Sequence, residues 1–119
     1  MKTTGVAYIL LGSTDIERSL SFYTERIGLN VVQRFEGFAF MKAGTTTIAL
    51  TSDLGGRIAN GATFASELVF GVPSVRNAYD ELRAEGVAFV NEPRAVNAEA
   101  WAVTCTDPDG HLISFYGAK

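Results

Sequence analysis

Residues 14–28 read Thr14-Asp15-Ile16-Glu17-Arg18-Ser19-Leu20-Ser21-Phe22-Tyr23-Thr24-Glu25-Arg26-Ile27-Gly28, and their spacing decides the fold. Ile16, Ser19, Leu20 and Tyr23 fall at i, i+3, i+4 and i+7, and Ile27 continues the stripe. That period puts one apolar face on a helix over about residues 15–27. Thr14 and Glu17 have capping-box spacing, in which a hydroxyl and a carboxylate satisfy the free amides of a first turn. Gly28 is a natural stop, because glycine enters the left-handed conformation that ends many helices. Just upstream, residues 5–11 (GVAYILL) are apolar at odd and even positions alike. Such a run suits a strand covered on both faces.

Downstream, residues 29–34 (LNVVQR) and 38–42 (FAFMK) predict two strands around Glu36-Gly37. Ala43-Gly44 predicts a turn, and residues 46–51 (TTIALT) a further β-branched strand. Residues 52–66 hold Gly55, Gly56 and Gly61. They are long for a connection, so they read as a Gly-rich linker between halves or as a functional loop. The order then starts again. Residues 67–72 (ELVFGV) predict a strand, Pro73-Ser74 opens a second helix, and Val75, Ala78, Tyr79 and Leu82 repeat the helical stripe up to Gly86. Strands follow at 87–90, 101–106 and 111–116, with an edge or loop at 93–96. Asp107-Pro108-Asp109-Gly110 makes the last turn.

An offset of 59 superposes Ile16 on Val75 and Tyr23 on Leu82, and an offset of 65 superposes Ile48 on Ile113. The order of elements agrees even though the residues do not. The expectation is an α+β fold of two βαβββ repeats, halves 5–51 and 67–116, within one domain over 1–119. The repeats would form an open, cup-shaped mixed sheet with helices on its outer face.

Composition narrows the function classes. Ten basic and thirteen acidic residues give a net charge of −3 without any block of like charge, so no nucleic-acid footprint is present. One cysteine, Cys105, excludes an intrachain disulfide framework and a zinc–cysteine cluster. It also makes a reducing compartment the default. Apolar runs are too short to cross a membrane. The expected location is cytoplasmic.

Two motifs carry a resemblance. Asp15, Ser19, Phe22 and Tyr23, followed by Ile27-Gly28, resemble the opening "D-x-x-x-S-x-x-F-Y…L-G" of the vicinal oxygen chelate superfamily. Asp107-Pro108-Asp109-Gly110-His111-Leu112-Ile113 resembles its closing "D-P-D-G-x-x-I-E" hairpin. The superfamily includes glyoxalase I, bleomycin-resistance proteins, extradiol dioxygenases and fosfomycin-resistance enzymes. With the repeat, the resemblance spans essentially the whole chain.

The resemblance implies a ligand set for its metal-dependent members. Their first strand carries His or Gln seven residues before the helix-opening Asp, which is Tyr8 here. Their fourth strand supplies Glu or His where this chain has Ala49, and the opening strand of their second half a His where it has Glu67. Their last strand supplies Glu four residues after the turn glycine, where this chain has Ser114. A catalytic divalent ion needs about three carboxylate, imidazole or thiolate ligands. Only Glu67 is a good one. Tyr8 ligates only as a phenolate, which needs a strong nearby cation. The expectation is therefore no metal and no cofactor.

The remaining residues are weighed singly. His111 reads as a variable residue after a turn rather than a base, three positions from Ser114 and so on the other face of its strand. Glu67 is either a solvated strand start or a carboxylate that meets a cationic ligand or accepts a proton. Tyr8 reads as a cup-floor donor. Trp101, Phe38 and Phe40 are ordinary β core or walls that stack on a planar ligand. Phe35 is a weaker case. Arg57 reads as a solvated loop arginine and Cys105 as core.

The resemblance points to bleomycin-resistance-type sequestration. A homodimer would bind a small, partly aromatic or cationic molecule through Tyr8, Phe38, Phe40, Ala49, Glu67, Trp101 and Ser114. The alternatives are an enzyme — a lyase or dioxygenase with an atypical metal site, or a metal-free isomerase or cyclase using Tyr8 and Glu67 — and a plain dimerising module.

Overall fold

The computed structural model describes residues 1, 2, 4, 6–61 and 66–119. The chain divides into two compact units, 1–63 and 64–119. Gly5 of the expected first strand and residues 62–65 of the expected linker lie outside the described residues.

Unit 1 runs β1 (Ile9–Gly12), α1 (Ile16–Ser21) with a π turn (Phe22–Arg26), β2 (Asn30–Phe35), β3 (Phe38–Ala43), β4 (Thr46–Thr51) and α2 (Ser52–Ala59). Its four strands form one open mixed sheet in the order β1-β4-β3-β2, with β1 parallel to β4. The first helix follows the expected stripe, with Leu20 and Tyr23 buried against the sheet. Its start differs from the expected capping box. Asp15 is the N-cap and its Oδ1 accepts the Arg18 amide at 3.2 Å. Thr14 Oγ1 instead accepts from the Arg18 guanidinium at 2.9 Å, and Glu17 pairs with Arg34 of β2. A carboxylate caps as well as a hydroxyl, so Asp15 displaces Thr14 by one position. Near its end the helix widens to a π turn, with the Ile27 amide donating to the Phe22 carbonyl at 3.1 Å. Gly28 follows at φ 91°, the left-handed stop its position predicts.

Tyr23, Met41, Ala39, Ile48 and Leu50 are fully or almost fully buried in unit 1. Each large member contributes about 1.5–3 kcal/mol by leaving water. Ser13 and Ser19 are buried among them and bond to each other, Oγ to Oγ, at 2.6 Å. The pair satisfies two hydroxyls that would otherwise each cost about 1–3 kcal/mol.

The segment 52–59 corrects the expectation of a loop: it is the helix α2. Thr51 caps it, its Oγ1 accepting the Asp53 amide at 3.2 Å. Two adjacent glycines argue against a helix on propensity alone. Here close packing overrides propensity. A Cβ on Gly55 would lie 1.9 Å from the Ser13 carbonyl oxygen, and one on Gly12 2.8 Å from the Leu54 carbonyl. Backbone meets backbone where β1 ends, and only glycine permits it.

Unit 2 runs β5 (Glu67–Val72), α3 (Val75–Ala84), β6 (Arg94–Ala95), β7 (Trp101–Thr106) and β8 (Leu112–Gly117). Its sheet is open and mixed in the order β5-β8-β7-β6, with β5 parallel to β8. Ser74 caps α3, its Oγ accepting the Asn77 amide at 3.1 Å. Gly86 ends the helical segment at φ 89°. The expected strand at 87–90 is reduced to one bridge between Phe89 and Cys105. The edge strand is the two-residue β6 instead. Asn91 explains the interruption: its side-chain Oδ1 takes the Thr104 amide at 2.9 Å, a bond a neighbouring backbone would otherwise accept. The 107–110 turn forms as expected. Asp107 Oδ1 accepts from the Asp109 and His111 amides at 2.9 and 2.8 Å, and Gly110 sits at φ 89°.

The two adjacent glycines of α2 give a matched test. Gly55→Ala should cost roughly 1–3 kcal/mol by overpacking. Gly56→Ala has nothing within 4 Å of the new Cβ and should stabilise by about 0.5–1 kcal/mol. Urea unfolding midpoints of the two variants check both signs.

Candidate functional site

Strand pairing assigns faces. In unit 1, Leu10 and Phe40 both stand opposite Ala49, Phe38 opposite Thr51, and Phe35 opposite Phe38. Directly paired residues share a face, so Leu10, Ala49, Phe40, Phe38 and Phe35 line one side of the sheet. Ile48, Leu50, Met41 and Ala39 line the other, which carries α1. The Tyr8 ring meets Phe40 edge-on at 5.7 Å, which brings Tyr8 to the aromatic side although β1 begins only at Ile9. Phe38 stacks on Phe40 at 5.3 Å, and Phe35 meets Phe40 edge-on at 6.4 Å. Three rings thus converge on Phe40, beside a fully buried Ala49. Tyr8 remains 49% exposed and Phe35 54%. Large apolar rings left in water on one face are the marker of a binding surface. Phe35, the weaker candidate in the sequence, belongs to the same cluster.

In unit 2, Thr104 and Val69 both stand opposite Ser114, and Glu67 opposite Leu112. Glu67, Val69, Ser114, Thr104 and Ala102 therefore share the face away from α3. The Ser114 hydroxyl donates to Glu67 Oε2 at 3.1 Å. Its oxygen lies 2.7 Å from Thr104 Oγ1. A serine has one proton to give, so Thr104 donates to Ser114 and Ser114 to Glu67. The chain of donors ends on the carboxylate and orients it. Ser114 and Thr104 are buried, while Glu67 is exposed.

Thr104 is the residue that sequence reasoning missed. Its signal was the hairpin register: positions equidistant from the Asp107–Gly110 turn pair, and Thr104 pairs with Ser114. The same register fixes the face of Trp101. It pairs with Gly117 and shares its face with Val103, Cys105, Ile113 and Phe115, on the α3 side. Three positions from Thr104, an odd step, put it on the opposite side of the sheet from Glu67. There the Lys119 ammonium sits over its ring at 4.7 Å. His111 holds the hairpin, its amide on Asp107 Oδ1 and its carbonyl accepting the Asp107 amide at 3.0 Å. Arg57 is exposed on α2 rather than in a loop. Cys105 is fully buried, and burial, with Asp107 nearby, pushes its thiol up to about 11. A neutral buried thiol is a poor nucleophile.

A metal-binding role fits these residues poorly. Ala49 offers no donor atom, and the Ser114 hydroxyl is already committed to Glu67 and Thr104. Among the described residues, no group of three or more His, Cys, Asp or Glu is placed to hold an ion. No helix among them is long and apolar enough to cross a membrane.

Two open βαβββ sheets with flanking helices define the class. The family model of the Glyoxalase/Bleomycin resistance protein/Dioxygenase superfamily matches residues 5–115, and the chain belongs to that superfamily. Solved structures share the fold. A fosfomycin resistance protein from Listeria monocytogenes, complexed with Mn(II) and sulfate, matches with a TM-score of 0.79 at 17% identity, covering 99% of this chain and 93% of its own. A lactoylglutathione lyase from Agrobacterium tumefaciens matches with a TM-score of 0.78 at 17% identity, covering 98% and 95%. A glyoxalase/bleomycin resistance protein/dioxygenase from Nocardioides matches at 0.77 and 22%, covering 99% and 85%. No curated protein matches the chain.

The donor chain predicts a non-additive pair of variants. Ser114→Ala strands the buried Thr104 hydroxyl and should cost about 1–3 kcal/mol. Adding Thr104→Val removes the stranded group and should recover part of that loss. Denaturant unfolding of the single and double variants reads the difference.

Proposed function

We propose that this chain binds a small planar, cationic molecule reversibly and without a metal ion, as a sequestering protein. The observation that carries the reading is the cluster of Tyr8, Phe35 and Phe38 around Phe40, partly exposed on the face away from α1. Rings offer large contact area at low entropic cost. Glu67, oriented by Ser114, supplies a carboxylate for a cationic group. Trp101, on the α3 side, has no part in this reading. The protein acts as a homodimer, and exposed apolar residues such as Val31 and Val32 on the edge strand β2 support that assembly. Its place of action is the cytoplasm.

A second reading is enzymatic. An oriented, exposed carboxylate is what a proton-transferring base requires. Glu67 and Tyr8 would then serve a metal-free isomerase or cyclase. The lactoylglutathione lyase neighbour supports lyase chemistry at the level of fold alone.

Calorimetric titration with proflavine, a planar tricyclic cation, separates these readings. Saturable binding is expected, weakened about tenfold by Phe40→Ala through lost stacking area. Glu67→Gln should weaken the cation and spare a neutral tricycle of the same shape. Light scattering of the same samples should give twice the chain mass. Failure of every planar cation to saturate, or affinity unchanged in both variants, overturns the binding reading. Loss of turnover with unchanged affinity in Glu67→Gln would favour the enzyme.

A further inference from the structure

Unit 2 holds a concavity on the α3 side of its sheet, away from Glu67. It is a cavity of about 400 Å³ lined by Tyr79, Arg83, Phe89, Val90, Asn91 and Glu92, among others. That volume lies within the range of about 300–1,000 Å³ typical of small-molecule sites.

The walls of this cavity are fixed in place. The Tyr79 ring is buried on α3 and meets Phe89 edge-on at 4.8 Å. Phe89 bridges to Cys105, the Val90 amide donates to the Thr104 carbonyl at 2.9 Å, and Asn91 Oδ1 takes the Thr104 amide at 2.9 Å. The segment is thereby stitched to the edge of β7. At its other end, the Val87 amide donates to the Leu82 carbonyl at 3.0 Å.

The charges are equally informative. The Arg83 guanidinium lies over the Tyr79 ring at 5.5 Å, a contact that restrains it before any ligand arrives. Arg76 sits over the same ring at 5.7 Å but has Asp80 as a partner at 4.0 Å. Among the described residues, Arg83 has no carboxylate partner, and Glu92 lines the same cavity without pairing with it. Asn91 uses its oxygen on Thr104 and keeps its amide protons. The lining thus combines an aromatic wall, one cation whose fork matches a carboxylate, and one anion.

We infer that this cavity binds an aromatic α-amino acid as its zwitterion. Arg83 takes the carboxylate, Glu92 the ammonium, and the ring packs against Phe89 and Val90. The site lies on the opposite side of the unit 2 sheet from Glu67, and the inference stands without the proposed function.

Calorimetric titration of the full chain with L-phenylalanine, 3-phenylpropionate and phenethylamine tests it. Saturable binding is expected in that order of strength, because the second lacks the ammonium and the third lacks the carboxylate. Arg83→Gln should weaken L-phenylalanine about tenfold or more, since it removes a charge-assisted contact. Glu92→Gln should erase the preference of L-phenylalanine over 3-phenylpropionate. Both side chains are exposed, so the folded state should persist, and far-UV circular dichroism checks that it does. The inference is overturned if no probe saturates, if phenethylamine binds as well as L-phenylalanine, or if Arg83→Gln binds unchanged.

Discussion

The parallel pairing of the first strand with the last in each unit is the constraint on which the rest depends. β1 lies against β4 and β5 against β8, residue by residue over the whole strand. Each pairing closes a crossover through a helix, so the helix must cover one face. The other face is then set by parity. A slip of one residue would exchange the two sets of side chains. It would turn Glu67 and Ser114 into the α3 core and push Ile113 and Phe115 into water. The cost of that exchange, several buried apolar side chains at about 1.5–3 kcal/mol each, holds the register.

Polar groups are placed within this frame with little waste. A buried hydroxyl pair in one unit does different work from a buried hydroxyl pair in the other. Ser13–Ser19 joins the end of β1 to α1. Thr104–Ser114 passes its donor chain to an exposed carboxylate. The first stabilises the fold. The second also aims a charge.

Much of this was legible in the sequence because it rests on period and turn chemistry. The 3.6-residue stripes placed α1 and α3, the Asp107–Gly110 turn placed the last hairpin, and Gly28 and Gly86 marked their stops. The grouping of Tyr8 with Ala49, and of Glu67 with Ser114, comes from the superfamily resemblance, and aromatic character singles out Phe38 and Phe40. What was not legible depends on contacts between distant residues. The helix α2 hides behind Gly55-Gly56, of which Gly55 serves a close approach to Ser13 that no local pattern announces. The loss of a strand at 87–90 turns on one side chain, Asn91, reaching a backbone amide. Aromatic character alone leaves Trp101 open between core and ligand wall, and its odd step from Thr104 sets it on the α3 side.

Family membership leaves the chemistry of the site open, since this fold carries many reactions. The side chains at the positions in question are more informative. Tyr8, Ala49, Glu67 and Ser114 provide one strong donor for a divalent ion, and three are needed. The account therefore rests on recognition by rings and a carboxylate. The most direct test is the metal content of the untagged chain after dialysis against Mn(II), Fe(II), Ni(II) and Zn(II). The account predicts content well below one equivalent for every ion. Retention of any of them near one per chain would contradict it.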